Sequence, residues 1–305
     1  MGRLTAIVLG AAAGGGFPQW NCSCPVCCLA WSGDRRVKPR TQASLAVCAD
    51  GKTWILLNAS PDLRAQLQAT LALHPRANAH GGLRGSPIAA VVLTGAEVDQ
   101  TAGLLALRER QEFCVLATAE TLAALDANPI FRVLASDLVS RRAVALGAPF
   151  ALPGGIEAEL FAVPGKVALY LEDDDPALDA ETGANVGVEL VHGGRRLAYV
   201  PGAAGVPPAL RARLARADVV LFDGTLYRDD EMTATGTGGK SGRRMGHMPV
   251  GGDNGTLATL AGLPGRVVLT HINNTNPILI EDSPERRQVE AAGFEIAEDG
   301  MEIVL

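Results

Sequence analysis

Short apolar runs alternate with helical segments along the whole chain, and this alternation constrains the fold more than any other feature. The runs typical of strands are residues 4–9, 53–59, 88–94, 113–118, 157–164, 187–192, 196–201, 218–224 and 266–271. Helical spacing or capping residues predict helices at residues 60–73, 97–110, 207–217 and 283–293. Two of these helices start with a serine N-cap and a proline at the first helical position, Ser60-Pro61 and Ser283-Pro284. With no linker or repeat in the sequence, the pattern predicts one α/β domain over residues 1–305, in which two packed mixed sheets carry helices on their outer faces.

The composition argues against several classes of function. The chain has 305 residues, 48% of them apolar, and a formal net charge of −6, which argues against binding to nucleic acid or to an anionic membrane surface. No apolar run approaches the roughly 20 residues of a membrane span. The N-terminus is typical of a strand that runs into a glycine loop rather than of a secretory signal. We therefore expect a cytoplasmic protein without membrane insertion, whose six cysteines are thiols or metal ligands.

Three cysteines, Cys22, Cys24 and Cys27, form a C-x-C-x-x-C cluster in the segment NCSCPVCC. Three thiolates this close can converge on one soft cation, and zinc takes four ligands, typically nitrogen or sulfur, in tetrahedral geometry. We predict a structural zinc knuckle at about residues 20–28, with a fourth ligand from elsewhere in the fold. A set of buried free thiols is the alternative. Cys28 is left out because it is adjacent to Cys27 and cannot easily face the same metal.

Residues 228–256 form a polar, glycine-rich segment that is too long for an ordinary connection. The composition predicts either a mobile functional loop or a disordered insert. Candidate functional side chains within it are Lys240, Arg243, Arg244 and His247.

The segment VVLTGAEVDQTAGLLALRE, residues 91–109, resembles the strand–turn–helix that carries the H-x-H-x-D-H motif of the metallo-β-lactamase superfamily. The ligand positions of that motif fall on Gly95, Glu97, Asp99 and Gln100. The later ligand positions, in VPGK, YVPG and LTHINNTNPIL, fall on Lys166, Gly202 and His271. The resemblance implies the αββα sandwich of that superfamily.

Seven motifs distributed over the chain narrow the resemblance. They are GGGFPQWNCSCPVC, RTQASLAV, LLNASPD, LFDGTLYRDDEM, GHMP, HINNTNPILIEDS and GMEIVL. In order and spacing they resemble the coenzyme PQQ (pyrroloquinoline quinone) synthesis protein B family. The cysteine cluster and the GMEI end also resemble a phosphodiesterase of a phosphonate pathway, in which a histidine three residues after the last ligand histidine completes the structural zinc. The matching residue here is Asn274, so Asn274, another side chain or a water is expected as the fourth ligand.

The resemblance implies that the first metal of the superfamily's hydrolytic centre has lost its ligands. Gly95 and Gly202 offer no donor atoms, and the charge of Lys166 would repel a cation. Two-metal hydrolysis is therefore not expected.

The second-metal positions are better preserved, since Asp99 and His271 are both present. In the family the residue at position 100 is usually histidine, and one carboxylate with two histidines suits non-haem Fe(II) and leaves positions open for O₂. This chain has Gln100, which can ligate through its carbonyl oxygen but holds iron less firmly, and Glu97 on the same turn is a substitute carboxylate. The alternatives are a helix N-terminal carboxylate for Asp99 and a strand-end histidine with satisfied hydrogen bonds for His271.

His247 in GHMP stands where related hydrolases place a proton-transferring histidine. With Asp223 in LFDG it is a candidate acid or base near neutral pH, or else both residues only pin the long loop. Basic side chains recognise carboxylates well, and the candidates for binding the substrate are Lys166, Lys240, Arg243 and Arg244.

Two functions are expected from the resemblance. The first is an iron- and O₂-dependent hydroxylation of the tyrosine ring in a small-molecule or dipeptide PQQ precursor derived from a crosslinked Glu–Tyr pair. The alternative is a non-catalytic carrier that binds PQQ or its precursor and aids its transport to the periplasm. The expected metals are structural Zn²⁺ and an active-site Fe²⁺, and a homodimer is one assembly that the sequence allows.

Overall fold

Fourteen strands form two seven-stranded sheets in the segments that the computed structural model describes, residues 2–76, 82–172 and 180–305. The first sheet, in the order β14-β1-β2-β3-β4-β5-β6, contains β1 (Thr5–Gly10), β2 (Ser44–Cys48), β3 (Trp54–Leu57), β4 (Ile88–Val92), β5 (Phe113–Ala117), β6 (Val139–Ala143) and β14 (Glu302–Val304). The second sheet, in the order β13-β12-β11-β10-β9-β8-β7, contains β7 (Phe150–Leu152), β8 (Ile156–Ala162), β9 (Val186–His192), β10 (Arg195–Val200), β11 (Val219–Asp223), β12 (Arg266–Thr270) and β13 (Glu295–Ile296). All nine strands predicted from the sequence are present.

The two sheets share one pairing pattern, which makes both of them mixed. In the first sheet β14, β1, β2 and β3 pair antiparallel, and β3, β4, β5 and β6 pair parallel. In the second sheet β7 to β10 pair antiparallel, and β10 to β13 pair parallel. The parallel half of each sheet therefore brings several strand ends to one edge, where a site can be assembled from different parts of the chain.

Strand β3 shows why the strands have continuous apolar sequences. Ile55 and Leu57 are buried in the cluster between the two sheets, whereas Trp54 and Leu56 are buried under the helices on the outer face. Successive side chains of a strand point to opposite faces, so a strand covered on both faces is apolar throughout. The core between the sheets is completed from the second sheet by residues such as Leu221.

Helices cover the outer face of each sheet. The α-helices of the described segments are α1 (Pro25–Trp31), α2 (Leu63–Ala69), α3 (Val98–Thr101), α4 (Ala119–Ala127), α5 (Pro208–Leu214), α6 (Glu231–Ala234), α7 (Thr256–Thr259) and α8 (Pro284–Ala291). Leu63 of α2 and Leu125 of α4 pack on the first sheet, and Cys27 of α1, Leu214 of α5 and Val289 of α8 pack on the second. The layers are thus helix, sheet, sheet and helix, which confirms the predicted αββα sandwich.

The helix starts follow the sequence signals only in part. Ser283 caps α8 as predicted, because its side chain accepts a hydrogen bond from the Arg286 N–H. The predicted cap at Ser60 is wrong, since α2 begins at Leu63 and the Ser60 hydroxyl donates instead to Gln66 Oε1 at 3.1 Å. The helix predicted at 97–110 is shorter than expected, because α3 gives way after one turn to a 3₁₀ helix over Ala102–Leu107.

The glycine-rich segment 228–256 is folded onto the domain, so the interpretation as a disordered insert is wrong. It contains α6, a 3₁₀ turn over Arg243–Met245 and the start of α7. Buried Glu231 anchors it by accepting hydrogen bonds from the Tyr227 N–H at 2.8 Å and the Thr275 hydroxyl at 2.6 Å. None of the helices in the described segments is long and apolar enough to cross a membrane.

Candidate functional site

A cavity of about 560 Å³ opens beyond the carboxyl ends of β4, β10, β11 and β12. This is the edge of an α/β sheet at which ligands generally bind. The candidate residues that line the cavity are Glu97, Asp99, Gln100, Lys166, Lys240, His247 and His271. The loop after β1 contributes Ala13, Gly14 and Gly15 to the wall.

Asp99 and His271 meet at the wall of this cavity, as the motif spacing predicts. Asp99 Oδ2 lies 2.9 Å from His271 Nε2, with the Asp99 and His271 side chains 13% and 11% exposed. Burial disfavours the charge on each, but the hydrogen bond and the charge attraction between them prevail, so the pKa of Asp99 is lowered and the pKa of His271 is raised. His271 has a φ of 56°, a left-handed conformation that is costly outside glycine and is often found at functional sites.

A second pair, Asp223 and His247, lies beside the first. Asp223 Oδ2 accepts hydrogen bonds from His247 Nδ1 at 2.6 Å and from the Ala203 N–H at 2.9 Å. Burial disfavours the Asp223 charge, yet the nearby histidine rings and hydrogen bonds lower the pKa of this carboxyl below its usual range. The His247 and His271 rings stack with their centroids 5.2 Å apart.

Asp223, His247 and His271 have ligand atoms within 4.8 Å of one another, the spacing of a metal site. The hydroxyl of Thr225 already lies among them, at 2.6 Å from Asp223 Oδ1, 3.1 Å from His247 Nδ1 and 2.8 Å from His271 Nδ1. We therefore interpret these three side chains as a hydrogen-bonded cluster around Thr225, which leaves His271 Nε2 facing Asp99.

Two of the first-metal positions, Gly95 and Gly202, have no side-chain donor atoms, and Gly95 has no space for one. A Cβ atom on Gly95 would lie 2.6 Å from Gln100 Oε1 and 2.9 Å from the Ala184 carbonyl oxygen, so no histidine fits there. Lys166 extends into the site and pairs with Glu97 at 3.0 Å and with Glu172 at 2.7 Å. That the chain is not a two-metal hydrolase stays a prediction.

Gln100 and Glu97 hydrogen-bond within the start of α3 and not to the Asp99–His271 pair, so their role as third ligand stays a prediction. Gln100 Oε1 accepts a hydrogen bond from the Glu97 N–H at 3.2 Å, and the Glu97 side chain accepts from the backbone of residue 100, which is a capping box for α3. Glu97 Oε1 also accepts from Lys166 Nζ and from the Leu169 N–H at 3.1 Å. Both side chains line the cavity, but their oxygen atoms already have partners.

The four predicted substrate-binding cations are in three different environments. Lys240 is exposed at the cavity and has no ion-pair partner among the described residues. Lys166 lines the cavity, but its charge is neutralised by two glutamates. Arg243 and Arg244 do not line the cavity, and Arg244 pairs with Glu172 at 3.1 Å, so the structure does not bring these two side chains to the candidate site.

The three cysteines of the knuckle converge as predicted. The sulfur atoms of Cys22, Cys24 and Cys27 lie within 4.8 Å of one another, whereas Cys28 is exposed and directs its thiol to the Ser23 carbonyl oxygen. Asn274 reaches the cluster with its side-chain amide, whose nitrogen lies 3.2 Å from Cys22 Sγ and 3.3 Å from Cys27 Sγ.

The pKa values of these thiols indicate that the cluster needs a cation to hold all three as thiolates. Burial raises the pKa of Cys24 to about 12 and raises the pKa of Cys27, and each neighbouring thiolate adds to the repulsion. Burial has less effect on the more exposed Cys22, where hydrogen bonds from Cys24, Cys27 and Asn274 lower the pKa. Three thiolates coexist here only if a cation compensates their charge, and a soft tetrahedral metal such as zinc fits this donor set.

Thr225 is the functional candidate that the sequence reasoning missed. It follows Asp223 in the segment DGT, and a hydroxyl two residues after an aspartate commonly bonds to it. That local signal does not predict the contact between Thr225 and His271, because His271 follows a different strand.

Two mixed sheets with an aspartate and a histidine at their strand ends define a metallo-β-lactamase fold, and the family model described as Beta-lactamase superfamily domain matches residues 53–272. The chain is 56% identical to the coenzyme PQQ synthesis protein B of Methylobacterium nodulans over 303 residues, covering 99% of this chain and 100% of that protein. It is 53% identical to the protein of the same name from Methylorubrum extorquens over 300 residues, covering 98% and 99%. The chain belongs to the coenzyme PQQ synthesis protein B family.

Solved structures agree with this assignment. The crystal structure of Zn(2+)-bound PqqB from Methylobacterium extorquens aligns with a TM-score of 0.96 at 53% identity, covering 99% of this chain and 100% of that chain. A diphosphatase of the PhnP family aligns with a TM-score of 0.69 at 20% identity, covering 99% and 97%, and shares the fold.

Proposed function

We propose that the chain catalyses an iron- and O₂-dependent hydroxylation of the tyrosine ring of a Glu–Tyr derived precursor in PQQ biosynthesis. The observation that carries this proposal is the Asp99–His271 pair, whose Oδ2 and Nε2 atoms lie 2.9 Å apart at the wall of the cavity. A carboxylate and an imidazole that face each other form part of the ligand set of non-haem iron oxygenases. The names of the relatives support the pathway, and the pair supports the chemistry.

Asp99 and His271 would hold the ferrous ion, with Gln100 as the third ligand once its side chain leaves the helix cap. A ferrous ion bound there would supply the activation of O₂. The side chains contribute geometry and charge, since the carboxylate of Asp99 offsets the charge of a cation and the cavity wall limits access by water.

The cavity has the size and the mixed lining that a dipeptide precursor needs. Its volume of about 560 Å³ lies within the range of small-molecule sites, about 300–1,000 Å³. Val98, Leu169 and Tyr170 offer apolar surface to an aromatic ring on one side, and Lys240 offers an unpaired charge to a carboxylate. We expect the ring to lie near Asp99 and the carboxylates near Lys240.

His247 is the proposed proton-transferring residue, and Asp223 orients it. Because His247 Nδ1 donates to the buried carboxylate of Asp223, its Nε2 is the nitrogen left to exchange a proton with a ligand in the cavity. A fixed ring that lines the cavity is suited to remove the phenolic proton of the substrate.

The cysteine cluster is proposed as a structural zinc site, held by Cys22, Cys24 and Cys27 with Asn274 at the fourth position. Support comes from the convergence of the three sulfur atoms and from a relative at 53% identity that was crystallised in a Zn(2+)-bound state. The Asn274 amide would bind through its oxygen, which requires the amide to turn, since its nitrogen faces the sulfurs.

The test is anaerobic loading of the protein with Fe(II), followed by O₂ exposure in the presence of a Glu–Tyr dipeptide and ascorbate. One oxygen atom enters the ring, and ascorbate supplies the two electrons that reduce the other to water. Mass spectrometry should show the gain of one oxygen atom, which His271→Ala abolishes. The exposed His74→Ala variant is the matched control and should keep full activity. No oxygen gain with iron-loaded wild-type protein would overturn the proposal.

A non-catalytic carrier for PQQ or its precursor is the second candidate. The engagement of Gln100 in the helix cap favours it, because only two ligands then face the metal position. If the protein is a carrier, titration calorimetry should show that it binds PQQ, and no turnover should be seen with any metal. Lys240→Ala should weaken that binding, since PQQ carries several carboxylates.

A further inference from the structure

Thr225 lies at the centre of the polar groups behind the Asp99–His271 pair. It follows β11 and is 3% exposed. Its hydroxyl oxygen is 2.6 Å from Asp223 Oδ1, 2.8 Å from His271 Nδ1, 2.9 Å from the His271 carbonyl oxygen and 3.1 Å from His247 Nδ1. The hydroxyl has one proton to donate, so the four atoms that it contacts cannot all accept a hydrogen bond from it.

The short contact to Asp223 identifies the acceptor of that proton. A carboxylate can only accept, and hydrogen bonds to charged acceptors are shorter and stronger than those to neutral ones. The Thr225 hydroxyl therefore donates to Asp223 Oδ1, which also accepts from the Thr225 N–H at 3.0 Å. The proton on His247 Nδ1 is used at Asp223 Oδ2, 2.6 Å away.

The hydroxyl oxygen is then an acceptor towards His271 Nδ1, and its 2.9 Å contact with the His271 carbonyl oxygen carries no hydrogen bond. His271 Nδ1, at 2.8 Å, must be the donor of that hydrogen bond and must carry a proton. In the neutral ring the proton is then absent from Nε2, the nitrogen that faces Asp99 Oδ2 at 2.9 Å. Two acceptors at this distance need a cation between them, either a proton or a metal ion.

We propose that Thr225 is a positioning residue that fixes the proton of His271 on Nδ1, so that Nε2 is presented to a divalent metal beside Asp99. The chain Asp223–Thr225–His271 thereby transmits the charge of a buried carboxylate to a metal-binding imidazole through a neutral hydroxyl. Groups that orient a histidine ligand in this way typically change metal affinity by about 10- to 100-fold. The inference rests on the proposed function only in taking Asp99 and His271 as the metal-binding pair.

The matched variants are Thr225→Val, which keeps the shape and removes the hydroxyl, and Thr225→Ser, which keeps the hydroxyl. Nitrogen-15 NMR of the iron-free protein, at a pH where the ring is neutral, reads the His271 tautomer directly. The wild type and Thr225→Ser should show the proton on Nδ1. Thr225→Val should lose this preference and bind Fe(II) about 10- to 100-fold more weakly by anaerobic chelator competition.

Two results would overturn the proposal. One is the finding that the neutral His271 ring of the wild type carries its proton on Nε2. This measurement does not depend on whether a variant folds. The other is a folded Thr225→Val that keeps both the Nδ1 tautomer and the wild-type Fe(II) affinity, since Thr225 would then be only a packing residue. If the tautomer and affinity behave as expected but no oxygen enters the dipeptide, the positioning role stands and the hydroxylase function fails.

Discussion

His271 and Asn274 lie on one short loop after β12 and face two different clusters. His271 Nε2 lies 2.9 Å from Asp99 Oδ2 in the cavity, whereas the Asn274 amide nitrogen lies 3.2 Å from Cys22 Sγ. The backbone between them is fixed by the Ile272 N–H, which donates to the Ala11 carbonyl oxygen at 2.8 Å. The cysteine cluster therefore anchors the loop that positions the candidate iron ligand.

Removal of one cysteine should affect both clusters. We expect Cys24→Ser to lose the zinc and to destabilise the protein by about 2 kcal/mol or more, which lowers Tm by about 3 °C or more for a chain of this size. Because the loop carrying His271 loses its anchor, Fe(II) affinity should also fall. Zinc content by elemental analysis, Tm by calorimetry and chelator competition measure the three effects. Cys28→Ser changes an exposed thiol of the same segment and should leave all three unchanged.

Glu231 should make the stability depend on pH. Burial raises the pKa of its carboxyl to about 7, against a usual value of 4.5. The folded state then binds more protons than the unfolded state, so this contribution to stability is fully present below pH 4.5 and is lost as the pH rises to about 7. The loss amounts to about 3 kcal/mol.

Glu231→Gln removes the titration and should flatten the denaturant-unfolding free energy between about pH 5 and 7. The glutamine can still accept from the Tyr227 N–H and donate to the Thr275 hydroxyl. Glu112→Gln removes an exposed carboxyl and controls for the change in net charge. Equal pH slopes for Glu231→Gln and the wild type would contradict the prediction.

The fold was predictable from the sequence because its signals are local. Strands such as β3 are apolar on both faces, and the Ser283-Pro284 cap acts within one turn of α8. Asp99 and His271 were predictable because the motif resemblance places Asp99 after β4 of the first sheet and His271 after β12 of the second, and the cavity opens beyond the carboxyl ends of both strands.

The rest of the site depends on contacts that the sequence pattern does not contain. Gln100 turns to the Glu97 N–H because a helix start has unpaired donors, and this competes with metal binding. The sequence of the 228–256 segment has no apolar periodicity from which its path could be inferred. It therefore does not indicate that Lys240 lines the cavity and Arg243 does not. Thr225 and His271 are 46 residues apart and meet only once β11 and β12 pair.

Lys240 should bind the acidic end of the substrate. It has no ion-pair partner among the described residues, so a carboxylate that meets it gains a charge-assisted contact. We expect Lys240→Ala to raise KM for the Glu–Tyr dipeptide about 10-fold with little change in kcat, because the contact is remote from the reacting ring. Arg243→Ala removes a neighbouring exposed cation that does not line the cavity, and it should leave KM unchanged. Equal effects of the two variants would show that only the general charge of the loop matters.

Replacement of Gln100 by histidine should strengthen iron binding while weakening the helix start. The glutamine carbonyl now accepts from the Glu97 N–H at 3.2 Å, and its loss from the capping box should cost about 1 kcal/mol, or about 1–2 °C in Tm. An imidazole at this position adds a third strong ligand beside Asp99 and His271, so Fe(II) affinity should rise about 10-fold or more. Gln100→Asn, which also disturbs the cap but adds no imidazole, should share the fall in Tm without the gain in affinity. If Gln100→His gains neither affinity nor oxygen transfer, the pair alone does not form an iron centre, and the carrier function becomes the better explanation of the cavity.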